Sequence, residues 1–176
     1  WTGDPAAPSG WQVVNVDGGL TWRQGNTYIP EVDIYAAYGS GNNDDWLISP
    51  TMSLVGHKLL KWWDVVESAN YPNNFDVYVF PGGFTGDAST GVNLGSYVCT
   101  NTDLTQHSVD LGAYDGQTVS IAFHQTYSAS SGWGFGIDDV TIELAPVIPI
   151  LSLSTNRIEF IPTELDSSKE ASIGIA

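Results

Sequence analysis

The chain has 176 residues, 42% of them hydrophobic, and carries 20 acidic against 5 basic side chains, a formal charge of −15. That is enough apolar material for one well-buried core, while the charge repels nucleic-acid backbones and anionic membrane surfaces, so no nucleic-acid partner is expected. No apolar run reaches the roughly 18 residues a bilayer requires, so no membrane insertion is expected either.

The 7 Trp, 8 Tyr and 6 Phe, set among 19 Gly and 9 Pro, favour short β-strands joined by tight turns over helices. In chain order, strand-like runs fall at 11–16, 32–38, 46–49, 58–66, 74–80, 94–100, 106–111, 118–127 and 134–144, with Gly, Asn, Asp, Pro and Ser clusters between them. That spacing reads as an all-β sandwich or barrel. The run 58–66 is apolar on both faces, as a central strand covered on each side would be. Phe75, Val77 and Val79, and later Val119, Ile121 and Phe123, alternate with polar residues and place one face in the core. Trp11, Trp46, Trp62 and Trp63 lie within strand patterns and are expected in the core. The single cysteine, Cys99, excludes an intrachain disulfide and a multi-thiolate zinc site. Its apolar run makes it a small buried hydrophobe rather than a nucleophile.

After Leu144 the composition changes. Ala145-Pro146-Val147-Ile148-Pro149-Ile150 is a semi-rigid extended linker, and residues 151–162 and 167–175 alternate as two further strands, too little for a sandwich of their own. The expected division is a main domain over 1–145, then a linker and a short β-hairpin over 146–176, read as the truncated start of an immunoglobulin-like β domain. The alternative is that both strands join the main sheet. The chain opens at Trp1 without Met and stops inside a strand pattern, so flanking domains of the same polypeptide are expected. No Asn-x-Ser/Thr acceptor for N-glycosylation occurs.

The stretch Phe135-Gly136-Ile137-Asp138-Asp139-Val140-Thr141-Ile142-Glu143-Leu144 reads as one strand with two carboxylates near its entrance. Strict alternation puts Asp138 on the side of Val140, Ile142 and Leu144, facing the core, where an ionised carboxylate needs a cation or several donors. Only Arg23, Lys58 and Lys61 precede residue 146 as basic side chains. A hard ion such as Ca²⁺ is therefore the expected partner, with Asp138 as first ligand, then Asp4 and Asp139, and Asn43, Asp44 or backbone carbonyls completing the shell. The rival account has Asp138 accepting backbone N–H groups at a turn.

For ligand recognition, residues 67–74 and 127–133 each set aromatic rings among small polar residues. Tyr71, Asn73, Tyr127 and Trp133 are the expected ligand-binding set, with rings stacking on sugar faces while Asn and Ser read hydroxyls. The bland account has Trp133 plugging the sandwich end. Catalysis has little support: His57, His107 and His124 are scattered, and no nucleophile elbow or phosphate loop occurs. A glycosidase needs only two facing carboxylates, and Glu31, Asp45 and Glu67 could in principle be brought together, but among 20 acids some pair always fits that description. No catalytic residue is assigned.

Five stretches in order resemble the cleaved-adhesin and choice-of-anchor J domains of bacterial surface proteins, of which the adhesin modules following gingipain-type proteases are an example. They are Pro8-Ser9-Gly10-Trp11-Gln12-Val13-Val14-Asn15-Val16-Asp17-Gly18, Asp44-Asp45-Trp46-Leu47-Ile48-Ser49-Pro50, Phe75-Asp76-Val77-Tyr78-Val79, residues 108–123 beginning Ser108-Val109-Asp110-Leu111, and Phe135-Gly136-Ile137-Asp138-Asp139-Val140. The resemblance implies a jelly-roll β-sandwich that is non-catalytic, secreted or attached to the cell surface, and part of a multidomain protein. It also implies structural Ca²⁺ where first and last strands meet, a role that falls on Asp138. The acid this family carries ahead of Pro-x-Gly-Trp is represented only by Asp4. The expected function is adhesion to, or recognition of, a glycan or a host or extracellular protein. The alternatives are a carbohydrate-binding accessory module of a polysaccharide-degrading enzyme and an architectural spacer.

Overall fold

The computed structural model describes residues 7–24, 34–36 (backbone only), 43–56, 58–126 and 134–146. Among them run eleven strands: β1 Gln12–Asn15, β2 Trp22–Gln24, β3 Ile34–Ala36, β4 Asp45–Ile48, β5 Met52–Ser53, β6 Lys58–Val66, β7 Asn73–Pro81, β8 Val92–Cys99, β9 Thr105–Asp110, β10 Thr118–Gln125 and β11 Phe135–Leu144. One sheet has the order β1-β4-β10-β7-β8, with β5 also pairing β10, and the other the order β2-β3-β11-β6-β9. Every pairing is antiparallel. The two sheets form a jelly-roll β-sandwich. The contacts divide the chain into Trp1–Ala145 and Pro146–Ala176; the hairpin expected in the second part lies outside the described residues.

The core is aromatic. Trp22, Trp62, Phe75, Phe123 and Phe135 are all fully buried, with Trp22 edge-on to Phe135 at 5.2 Å and Phe75 stacked on Phe135 at 5.3 Å. Such contacts add to area burial because ring edges and faces carry opposite partial charge. A second cluster, Trp46, Ile48, Phe80 and Ala122, belongs to the other face of the first sheet, since Trp46 and Ile48 alternate with the inward Leu47. Trp63 is only partly buried. It pairs with Asp138 on the outward side of β6, so the expectation of a core position does not hold for it.

Registers give the sandwich two ends. The ends of β1, β6, β8 and β10 lie with the starts of β4, β7, β9 and β11 at one, which we call the loop end. Residues 11 and 144 lie at the opposite end. There an apolar cleft of about 190 Å³ opens between the sheets, lined by Trp11, Pro50, Met52, Val140 and Ile142 among others. The sequence misses β2 and β5 because strands of three and two residues are too short to show a period.

The inward placement of Asp138 is overturned. Phe135 and Ile137 are fully buried, and the β6 register shifts between Asp138 and Thr141. Asp139 has φ of 46°, the one left-handed non-glycine residue among those described. The shift inserts one residue, so the inward positions change from Phe135 and Ile137 to Val140 and Ile142. Asp138 thereby shares the outer side with Gly136. Its Oδ1 accepts the Asp139 N–H at 2.8 Å, the turn-type contact of the rival account.

Two measurements follow. Asp139→Gly, which removes the left-handed penalty, is expected to raise unfolding free energy by up to about 1 kcal/mol, and Asp139→Val to lower it by ~1–2 kcal/mol, read from urea midpoints. Cys99 is 1% exposed and its thiol is pushed far up by burial first and by the Asp64 charge second. It is expected to resist thiol reagents in the native state and to react stoichiometrically only on unfolding; rapid native labelling would contradict its burial.

Candidate ligand and cation sites

The two aromatic loops predicted to bind ligand are rooted side by side at the loop end. The Glu67 N–H donates to the Gly134 carbonyl at 3.0 Å, and the Thr126 N–H to the Asn74 carbonyl at 3.2 Å. The residues that flank 67–74 and 127–133 are therefore neighbours at this end. A turn closed by the Tyr71 N–H on the Ser68 carbonyl at 2.9 Å presents Tyr71, which is 36% exposed. Asn73 departs from the expectation. It begins β7 on the inward side with Phe75, is 1% exposed, and its Oδ1 accepts from Gln125 Nε2 at 3.3 Å, so it braces the interior and is not available to a glycan. Tyr127 and Trp133 lie outside the described residues.

The predicted calcium ligands are divided between the sheets. Asp138 and Asp139 lie at the bulge of β11 in one sheet, whereas Asp44 precedes β4 in the other and its Oδ1 is 2.7 Å from His124 Nε2. Asp4 is outside the described residues. Among those described, no three His, Cys, Asp or Glu side chains gather closely enough to hold an ion.

The acid that does meet the core is Asp45. In Asp45–Ile48 it shares the inward face with Leu47, and its cross-strand partners are Asn15 on β1 and Gln125 on β10. It is 0% exposed, as are Gln125 and the neighbouring Trp22, whose indole Nε1 donates to the Asp45 carbonyl at 3.1 Å. Burial first, then the charges of Asp17 and Asp44, push its carboxyl up to about 7, and none of the influences comes from a basic side chain. The Thr21 hydroxyl, as a hydrogen-bonding neighbour, offsets part of this. A carboxyl whose folded value lies above its unfolded one costs stability as pH rises from the ordinary carboxylate range through 7. The alternation argument spent on Asp138 marks Asp45 correctly when applied to residues 45–48.

Asp64 and His124 have specific neighbours, although Asp64 Oδ2 and His124 Nδ1 are enclosed without a hydrogen-bond partner. Asp64 is 2% exposed and faces His107 Nε2 at 3.1 Å; its carboxyl is raised by burial, with His107 as the main opposing influence. His124 stacks on Trp46 at 3.7 Å with the planes 10° apart, and Tyr78 flanks the same indole at 4.9 Å.

No protein-family model matches the sequence, and no curated protein matches it. Solved structures match the fold. The K1 cleaved adhesin domain of Lys-gingipain from Porphyromonas gingivalis is 23% identical, over 80% of this chain and 94% of that one, with a TM-score of 0.64. The K2 cleaved adhesin domain of the same protein is 16% identical over 81% of this chain and 95% of that one, with a TM-score of 0.62. A family 61 carbohydrate-binding module in complex with β-1,4-galactotriose is 12% identical over 78% of this chain and 90% of that one, with a TM-score of 0.51. The motif order read from the sequence and the arrangement of the two sheets thus lead to one conclusion: the chain has the jelly-roll fold of the cleaved adhesin domains.

Proposed function

We propose that this chain is a non-catalytic adhesion and recognition module, secreted or displayed at the bacterial cell surface as part of a larger protein, and that it binds a glycan through its loop end. The observation that carries the reading is the common rooting of the two aromatic loops, joined by the Glu67–Gly134 and Thr126–Asn74 hydrogen bonds at the end opposite residues 11 and 144. A partly exposed ring such as Tyr71 supplies flat contact area at low entropic cost. The jelly-roll shared with cleaved adhesin domains and with a galactotriose-bound module supports the same reading.

The acids support it as well. Glycoside hydrolysis needs two carboxyl groups facing a substrate. Asp45, one of the three acids considered for that role, is sealed inside the sandwich; Glu31 lies outside the described residues. A structural Ca²⁺ belongs to this reading, as reinforcement of the loop end rather than as a reagent.

The reading is tested by presenting the full chain to a glycan array and to β-1,4-galactan and xylan. Saturable binding is expected, and Tyr71→Ala is expected to weaken it at least about tenfold, ~1.4 kcal/mol, with an unchanged melting temperature. Hydrolysis of any of these polymers by the chain, or no glycan binding at all, would contradict it. Saturable binding to an immobilised extracellular protein but to no glycan would favour protein adhesion instead.

A further inference from the structure

Residues 67–72 form a short arch at the loop end that joins β6 in one sheet to β7 in the other. Its shape is held at three points. At the β6 side the Glu67 N–H donates to the Gly134 carbonyl at 3.0 Å, and at the crest the Tyr71 N–H closes a turn on the Ser68 carbonyl at 2.9 Å. At the β7 side Asn73 Oδ1 accepts from Gln125 Nε2 at 3.3 Å. This third contact lies inside the sandwich, with Asn73 1% exposed and Gln125 0% exposed.

The register explains why the contact falls on these two residues. Gln125 of β10 stands directly opposite Phe75 of β7, so Asn73 is its diagonal neighbour on the same inward face. A diagonal neighbour lies about 7–8 Å away, within reach of a long side chain and beyond a short one. On its other side Gln125 is paired with Asp45 of β4, so β10 is held between two strands at this row. Backbone pairing reaches Asn74, whose carbonyl accepts the Thr126 N–H at 3.2 Å. Beyond Asn73 the chain runs into Pro72, which has no N–H to offer a ladder. A side-chain amide therefore anchors the root of the arch where the backbone has one donor fewer.

Only Pro72 separates Asn73 from Tyr71. Its ring fixes its own φ and restricts the residue before it, so the placement of Asn73 is carried to Tyr71 with little slack. Tyr71 is 36% exposed, whereas Gln125 is sealed from any ligand. We propose that Gln125 is a positioning residue for recognition: it holds Asn73 and, through Pro72, sets where the Tyr71 ring is presented. This deepens the reading of the loop end as a glycan-binding surface and rests on it. A buried amide in a largely aromatic core costs desolvation, and here that cost is tied to the placement of a ring outside.

The test uses the full chain and Gln125→Asn, which keeps the amide and removes the methylene that the diagonal reach requires. Amide hydrogen exchange is followed by NMR without ligand. Exchange at the Tyr71 N–H is expected to rise at least about fivefold, while the Gly116 N–H, bonded to the Leu54 carbonyl at 2.9 Å at the opposite end, stays within about twofold. The unsubstituted chain, Gln125→Asn, Tyr71→Ala and the double substitution are then titrated with whichever of β-1,4-galactan, xylan or an arrayed glycan the unsubstituted chain binds. Gln125→Asn alone is expected to weaken binding about fivefold, and less than about twofold on the Tyr71→Ala background, because a residue that acts through the ring has nothing left to place. A general loosening of the fold weakens both backgrounds alike. Unchanged exchange at Tyr71, equal acceleration at Gly116, or losses that simply add overturn the proposal and leave the glycan reading standing. An unsubstituted chain that binds no glycan overturns the reading and the proposal with it.

Discussion

Strand β11 has to bury Phe135 and Ile137 at one end and Val140 and Ile142 at the other, and a two-residue period cannot place odd and even positions on one face. The bulge between Asp138 and Thr141 is what reconciles them. Since β11 lies between β3 and β6 in its sheet, a slip there would expel either the aromatic cluster around Phe135 or the lining of the lower cleft. Asp139 takes the left-handed backbone at the bulge, a conformation that short polar side chains tolerate better than branched ones. The two adjacent acids are thus explained by backbone geometry. Outward direction gives Asp138 access to solvent, and its own neighbour's N–H occupies one oxygen.

With β11 in register, the two ends of the sandwich differ in chemistry. The lower cleft is lined by Trp11, Pro50, Met52, Val140 and Ile142. The loop end is roofed on its inner side by Asp45, Gln125, Asn73 and Asp64, all buried. Such a polar layer is costly unless each member is satisfied. Asn73 and Gln125 satisfy one another in part, and Asp64 has His107. Asp45 is the acid of the layer that no basic side chain or histidine faces, and it sits at the end where the flanks of residues 67–74 and 127–133 are joined. The buried polar layer and the roots of the two aromatic stretches therefore share one end of the fold, so what stabilises the first also holds the second in place.

The strands of five or more residues were legible in the sequence because each has an apolar face and bounding turns. The run 58–66 coincides with β6, and 134–144 differs from β11 by one residue. What escaped detection depended on relations between strands. Alternation says which residues share a side, but a bulge that resets the phase is visible only as a mismatch with a partner strand. Unbroken alternation back from Val140, Ile142 and Leu144 sends Asp138 inward and Ile137 outward, and the extra residue at the bulge reverses both. Asn73 looked like a loop residue because it follows Pro72 and precedes another Asn. Its burial is set by β10, through Gln125, which no local pattern reveals. The inward direction of Asp45 is readable, since a four-residue strand with Leu47 in the core fixes it.

The remaining question is why the enclosed acid at 45 should be retained as an acid. Asn at that position would have the same shape, could share hydrogen bonds with Gln125, and would carry no charge to desolvate. Burial and the charges of Asp17 and Asp44 push its carboxyl up to about 7, so below that pH it is largely neutral and the desolvation cost of a charge is avoided. The Thr21 hydroxyl, which offsets part of the shift, is the neighbour that favours the ionised form. An acid at 45 therefore differs from an amide in one respect: its charge appears as pH rises through 7, and the stability of the sandwich falls with it.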